Sequence, residues 1–167
     1  MNYRENPKNG DMLSALGFGC MRFPKNFDET KKLVKHAVDN GINYFDTAYI
    51  YPGNEAVLGR ALLGLRDRVK LATKMPPWTV KKTSDMDRVF KTQLGRLQTG
   101  YIDYYLIHML SDTPTWERLV SLGIIDWISE KKRLGEIINI GFSYHGGKSE
   151  FVKLIDAYGW DFCMIQY

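Results

Sequence analysis

Strand-like and helix-like stretches alternate without interruption from residue 15 to residue 166, and that alternation leaves few folds open to the chain. Short apolar runs at 15–19, 44–46, 69–74, 102–108, 137–143 and 162–166 read as strands. The segments between them carry helical periodicity. Leu33, Val34, Ala37 and Val38 share one face over 28–40, which Asp28 can cap and Gly41 can end. Further helices are predicted at 55–63, around the recurrence of Met86, Val89, Phe90, Gln93 and Leu97 (closing near Gly100), over 116–134 with a break near Gly123, and at 149–158. Ahead of them, Tyr3-Arg4 and Met12-Leu13-Ser14 flank Pro7-Lys8-Asn9-Gly10, which predicts a hairpin. Strands joined through helices pair in parallel, so the expectation is a single α/β domain over 1–167. It is either an open doubly wound sheet or a (β/α) barrel.

In both architectures ligands sit beyond the carboxyl ends of the strands. Here those ends carry Gly19 to Arg22, Asp46, Lys74, His108, Ser143 and Gln166. The most pointed stretch is Asn43-Tyr44-Phe45-Asp46-Thr47-Ala48-Tyr49-Ile50-Tyr51, a strand that stops on a carboxylate and then presents a phenol. By itself it reads equally as an acid–base pair or as a turn cap with an edge-covering tyrosine. Asp, Lys and His on three successive strand ends give the chemical reading more weight. A phenol with an ordinary pKa of ~10 donates its proton poorly at neutral pH, and a neighbouring ammonium lowers that value. Lys74 can supply the ammonium, Asp46 can hold Lys74, and His108 can orient and polarise a carbonyl oxygen. Tyr51 then protonates that oxygen as a hydride reaches the carbon. Metal chemistry has no such support: there is no His-Glu-x-x-His, no cysteine pair at ligand spacing, and the chain has 3 histidines.

Asp46-Thr47-Ala48-x-x-Tyr51 with Asn54-Glu55, Ala72-Thr73-Lys74, Asp103 through His108, Ile140-Gly141-Phe142-Ser143 and Ile165-Gln166-Tyr167 together resemble the aldo/keto reductase family. The resemblance implies a TIM-type barrel, NADPH as cofactor, a small carbonyl substrate, and a catalytic set of Asp46, Tyr51, Lys74 and His108. It also implies that Ser143 and Gln166 contact the nicotinamide carboxamide with Met21 close by, and places Asp46 among the cofactor contacts too. Tyr144-His145-Gly146-Gly147, where many members have Asn after the serine, and Thr115-Trp116-Glu117-Arg118-Leu119 are similar to a subgroup whose longer members add an iron–sulfur segment. A complete barrel of this type takes ~250 residues and eight strands. With 167 residues and six predicted strands the expectation is an incomplete barrel. Its open edges predict self-association, or loose packing near residues 162–167. The competing expectation is a barrel fragment that serves only as a scaffold.

Composition excludes several other classes. The chain is 44% hydrophobic and 25% charged, which suits a globular core. A net charge of +4 spread over scattered Lys and Arg lacks the clustering of a nucleic-acid surface. No apolar run approaches the ~20 residues of a membrane span, and the polar start Met1-Asn2-Tyr3-Arg4 does not read as a signal peptide, so a cytoplasmic protein is expected. Cys20 and Cys163 are expected to be reduced thiols. Gly147-Lys148-Ser149 lacks the upstream Gly of a phosphate loop, and Gly17-Phe18-Gly19 has Arg22 where a dinucleotide fingerprint needs its third Gly. His36 is placed on or beside an apolar helix face. His145, on a loop at the ligand end, reads as a solvated residue or as a ligand contact, the former preferred.

Overall fold

In the computed structural model an antiparallel hairpin, β1 (Tyr3–Glu5) and β2 (Met12–Ser14), precedes six parallel strands. These are β3 (Phe18–Gly19), β4 (Tyr44–Asp46), β5 (Lys70–Met75), β6 (Ile102–Ile107), β7 (Ile137–Tyr144) and β8 (Phe162–Ile165). The structure describes residues 1–166. Tyr167, which closes the last sequence motif and the segment expected to pack loosely, lies outside the described residues. The helices are α1 (Phe27–Asp39), α2 (Asn54–Ala61), α3 (Thr83–Leu97), the pair α4 (Thr113–Ser121) and α5 (Ile124–Arg133), and α6 (Lys148–Asp156). None is long and apolar enough to cross a membrane.

The spatial order of the parallel strands is their order in sequence, β3 to β8. A doubly wound sheet reverses its strand order at a switch point. Here the sheet is wound in one direction only and curls as part of a (β/α) barrel, with β3 and β8 at its edges. Strand side chains alternate between two environments. Phe45, Leu71, Met75, Tyr105, Ile107, Ile140 and Phe142 pack outward among the helices, with Val34, Leu58, Val89, Phe90, Leu119 and Leu154. Tyr44, Ala72, Tyr104, Leu106, Phe162 and Met164 line the inner face with Leu13 of the hairpin. Trp116 and Trp127 join the outer layer, Trp127 edge-on to Phe90.

The hairpin closes the amino ends of the strands. The Tyr104 hydroxyl donates to Asp11 (2.8 Å) and accepts from Asn6 (3.2 Å), Asn9 donates to Asn139 (3.0 Å), and Lys70 pairs with Asp11 at 2.6 Å. A cavity of about 470 Å³ lies at this end, between the hairpin and the inner-face rings of Tyr44, Tyr104 and Phe162.

Local differences from expectation have identifiable causes. β3 begins at Phe18 rather than residue 15, because the Ala15 N–H goes to Asn2 O and ties that stretch to the hairpin. Asn26, not Asp28, caps α1, its side chain accepting from the Asp28 and Glu29 N–H groups. Asp28 instead stands in the first turn. Gly41 ends the helix as read, at φ +86°. α3 closes at Gln98 rather than near Gly100, Gln98 itself taking the left-handed conformation at φ 53°. His36 is exposed and meets Asn40, so it is not on the apolar face.

Two helical glycines respond in opposite ways to a methyl group. A Cβ at Gly59 would come within 2.6 Å of the Arg96 and Leu97 backbone, since α2 and α3 touch there, whereas nothing lies within 4 Å at Gly95. Gly59→Ala is expected to destabilise by about 1–3 kcal/mol through overpacking, and Gly95→Ala to stabilise by about 0.4–1 kcal/mol. Urea midpoints of the two variants against the parent measure both signs.

Candidate active site

Alternation puts Asp46, Lys74, His108 and Ser143 on the inner face at the carboxyl ends of neighbouring strands. They line one cavity of about 260 Å³ together with Tyr51, His145 and Gln166. Tyr51 reaches it from the loop after β4. That loop is threaded along β5 by Thr47 N–H to Ala72 O and Tyr49 N–H to Lys74 O, then turned by Tyr51 N–H to Ala48 O. Beyond β6, His108 N–H bonds Met75 O. Met109, in the left-handed region at φ 49°, gives its N–H to the Ser143 hydroxyl at 2.8 Å.

Lys74 is 3% exposed and donates to Asp46 at 2.6 Å and to Thr47 O at 2.8 Å. Its ammonium stands 5.6 Å from the centroid of the Tyr51 ring, and His108 meets that ring edge-on at 6.2 Å. Burial raises the Asp46 carboxyl above its ordinary pKa, outweighing the attraction of Lys74. Tyr51 is also pushed up, first by burial and then by the Asp46 charge. This corrects the expected lowering: burial and the Asp46 charge decide the direction, so the phenol holds its proton. His108 moves the other way, to about 4, through burial and then the nearby charges of Lys74 and His145. Asp46 Oδ1, Thr47 Oγ1 and His108 Nδ1 are buried with no partner among the described residues. Buried polar atoms without partners cost stability and mark where a bound group would complete the set.

Of the remaining expected residues, Gln166 lies on the cavity wall and Met21 does not. Met21 is 46% exposed at the exit of β3, where Asn54 holds its carbonyl (2.6 Å) and that of Cys20 (3.0 Å). No group of His, Cys, Asp or Glu suited to a metal ion occurs among the described residues. Burial raises the thiols of Cys20 and Cys163.

Three features go beyond the preferred sequence reading. His145, exposed as read, also lines the cavity, the alternative its loop position leaves open. Trp78, on the turn after β5, lies 6.0 Å from the His108 ring. The third is Glu55, 1% exposed, which accepts from Thr73 (2.7 Å) and Gln93 (2.9 Å) with one oxygen and from Arg96 (3.1 Å) with the other. Gln93 also donates to Lys74 O at 3.1 Å and accepts from the Tyr105 hydroxyl at 2.7 Å. A legible signal was Gln93 itself, an amide within an apolar helical stripe, which requires a buried polar partner.

Two outcomes follow from this geometry. Glu55→Ala strands buried donors on Thr73 and Gln93 and is expected to cost more than about 2 kcal/mol in denaturant unfolding. His108 favours its neutral form in the fold, so its contribution to stability is fully present above the ordinary pKa of 6.5 and is lost as pH falls through about 4. An imidazole NMR titration is expected to show His108 neutral at pH 5.5.

A family-wide profile described as the Aldo/keto reductase family matches residues 15–166. An uncharacterized oxidoreductase of Bacillus subtilis is 30% identical over 169 aligned positions, covering 88% of this chain and 50% of that protein. An aldo-keto reductase from Bacillus halodurans in its holo form superposes with a TM-score of 0.83 at 29% identity, over 100% of this chain and 58% of that one. An aldo-keto reductase from Klebsiella pneumoniae in complex with NADPH gives 0.74 at 27% identity, over 92% and 53%. The chain spans half or less of the length of the curated relatives it matches, from 35% to 50%.

Proposed function

The chain belongs to the aldo/keto reductase family, and from that premise we propose that it is an NADPH-dependent oxidoreductase reducing an aldehyde or ketone to an alcohol. The observation that carries this reading is the convergence of Asp46, Tyr51, Lys74 and His108 on one cavity, where Asp46 Oδ1 and His108 Nδ1 are buried without partners among the described residues. A neighbour of the same fold is described in complex with NADPH.

The residues fit the nicotinamide end of that cofactor. Ser143 accepts the Met109 N–H and keeps its own hydrogen to donate, and the exposed amide of Gln166 offers both a donor and an acceptor. The cavity is smaller than the ~300–1,000 Å³ usual for ligand sites, which suits one end of a dinucleotide with a small carbonyl rather than the whole molecule. Bound there, NADPH supplies the reducing equivalent. Asp46 and Met21 stand at the same ends of their strands as further contacts.

Tyr51 is the proton donor in this reading. Its raised pKa keeps the proton in place at neutral pH. As that proton passes to the carbonyl oxygen, negative charge grows on the phenol oxygen and the Lys74 ammonium stabilises it. Asp46 holds Lys74 in orientation through their hydrogen bond. Neutral His108 donates a hydrogen bond to the same carbonyl oxygen and polarises it.

Titrating NADPH against the purified chain tests the reading. A change in cofactor fluorescence with turnover of an aldehyde is expected. Tyr51→Phe should lower kcat by about 10²–10⁴-fold with cofactor affinity unchanged. No fluorescence change at millimolar NADPH supports the competing reading, a barrel segment acting as a scaffold. Pairing of a second copy along the β3 and β8 edges belongs to the same proposal. A solution mass above that of one chain is its expected signature.

A further inference from the structure

His145 is exposed, and no hydrogen bond or ion pair engages its ring among the described residues, yet it is not a free loop residue. The preceding Tyr144 turns outward, packing on Phe142 and Phe151, and its hydroxyl donates to Gly147 O at 2.5 Å. The loop therefore closes back on its own tyrosine. Gly146 lies against that phenol so tightly that a Cβ would come within 2.4 Å of the hydroxyl oxygen. With Tyr144 and Gly146 committed in this way, the loop has one favoured path, and along it His145 stands on the wall of the cavity that His108 also lines.

The cavity is rich in donors. Tyr51, His108, Ser143, Gln166 and His145 all can donate, while its one carboxylate, Asp46, is engaged by Lys74. A carbonyl oxygen has two lone pairs and is served by Tyr51 and His108 alone. A substrate with no other oxygen leaves His145 to solvent and gains nothing from it. On the reading of the cavity as a carbonyl-reducing site, we infer that His145 is a substrate-recognition residue selecting carbonyl compounds with a second oxygen on the adjacent carbon. The class comprises α-hydroxy and α-oxo aldehydes and ketones. His145 donates to the second oxygen while Tyr51 and His108 hold the first.

Imidazole NMR of histidine-labelled protein with NADP present, titrated with hydroxyacetone and separately with acetone, tests this without requiring turnover. Hydroxyacetone is expected to move the signals of both His108 and His145, and acetone that of His108 alone. The extra hydrogen bond should make hydroxyacetone bind about fivefold more tightly than acetone. That ratio is expected to fall to about one in His145→Leu and to persist in His145→Gln, which keeps a donor. His145 is exposed, so both variants should retain the parent spectrum elsewhere. If His108 responds to hydroxyacetone and His145 does not, or if His145→Leu keeps the fivefold preference, the inference is overturned and the carbonyl-site reading stands. If neither histidine responds to either compound, the carbonyl-site reading falls and the inference falls with it.

Discussion

A single carboxylate behind the sheet, that of Glu55, fixes how the strand carrying Lys74 presents itself. It is a charged group with almost no access to water, tolerable only because Thr73, Gln93 and Arg96 together satisfy it. Those partners come from β5 and α3, and Glu55 itself from α2, so one buried charge clamps two helices to the end of one strand. Gln93 extends the clamp to the Lys74 carbonyl and the Tyr105 hydroxyl. Thr73 is held outward, and its neighbour Lys74 must therefore face inward, toward Asp46.

The inner face uses that orientation. Lys74 is drawn to Asp46 and to the Thr47 carbonyl, while burial and the Asp46 charge raise the Tyr51 pKa, and the phenol remains protonated. His108, deprived of water and set beside Lys74 and His145, remains neutral. On the proposed reading, burial thus sets both groups in the forms a carbonyl needs: one with a proton to transfer, the other with a hydrogen bond to give. The opposite end of the sheet is stabilised independently, by the hairpin and the Asp11 contacts to Lys70 and Tyr104.

Much of this was legible in the residues. Alternating periods gave the parallel βα order, and reading the last polar residue of each apolar run located Asp46, Lys74, His108 and Ser143. What separated a barrel from a doubly wound sheet was strand order, a long-range property that no local period encodes. Boundaries shifted where a side chain competed with the pattern, as when Asn26 took the cap from Asp28. The direction of the Tyr51 shift was misjudged for a related reason. Sequence shows that an ammonium and a phenol are both present, but not that the ammonium is already occupied. His145 was hidden because its placement depends on Tyr144 turning away, which in turn depends on aromatic neighbours contributed by β7 and α6.

The alternation along β5 also governs which inherited changes the protein can absorb. One residue gained or lost before Thr73 within that strand would exchange the two faces. The ammonium would then point at the Glu55 clamp and the threonine at the cavity, so a single length change would remove both the charge from the site and the hydroxyl from the network. Two residues would restore the faces but move the site along the barrel axis. Strand length is thus held against drift in either direction, and variation among descendants of such a chain is channelled into the connecting loops, although the path around His145 is itself constrained by the close approach of Gly146 to Tyr144.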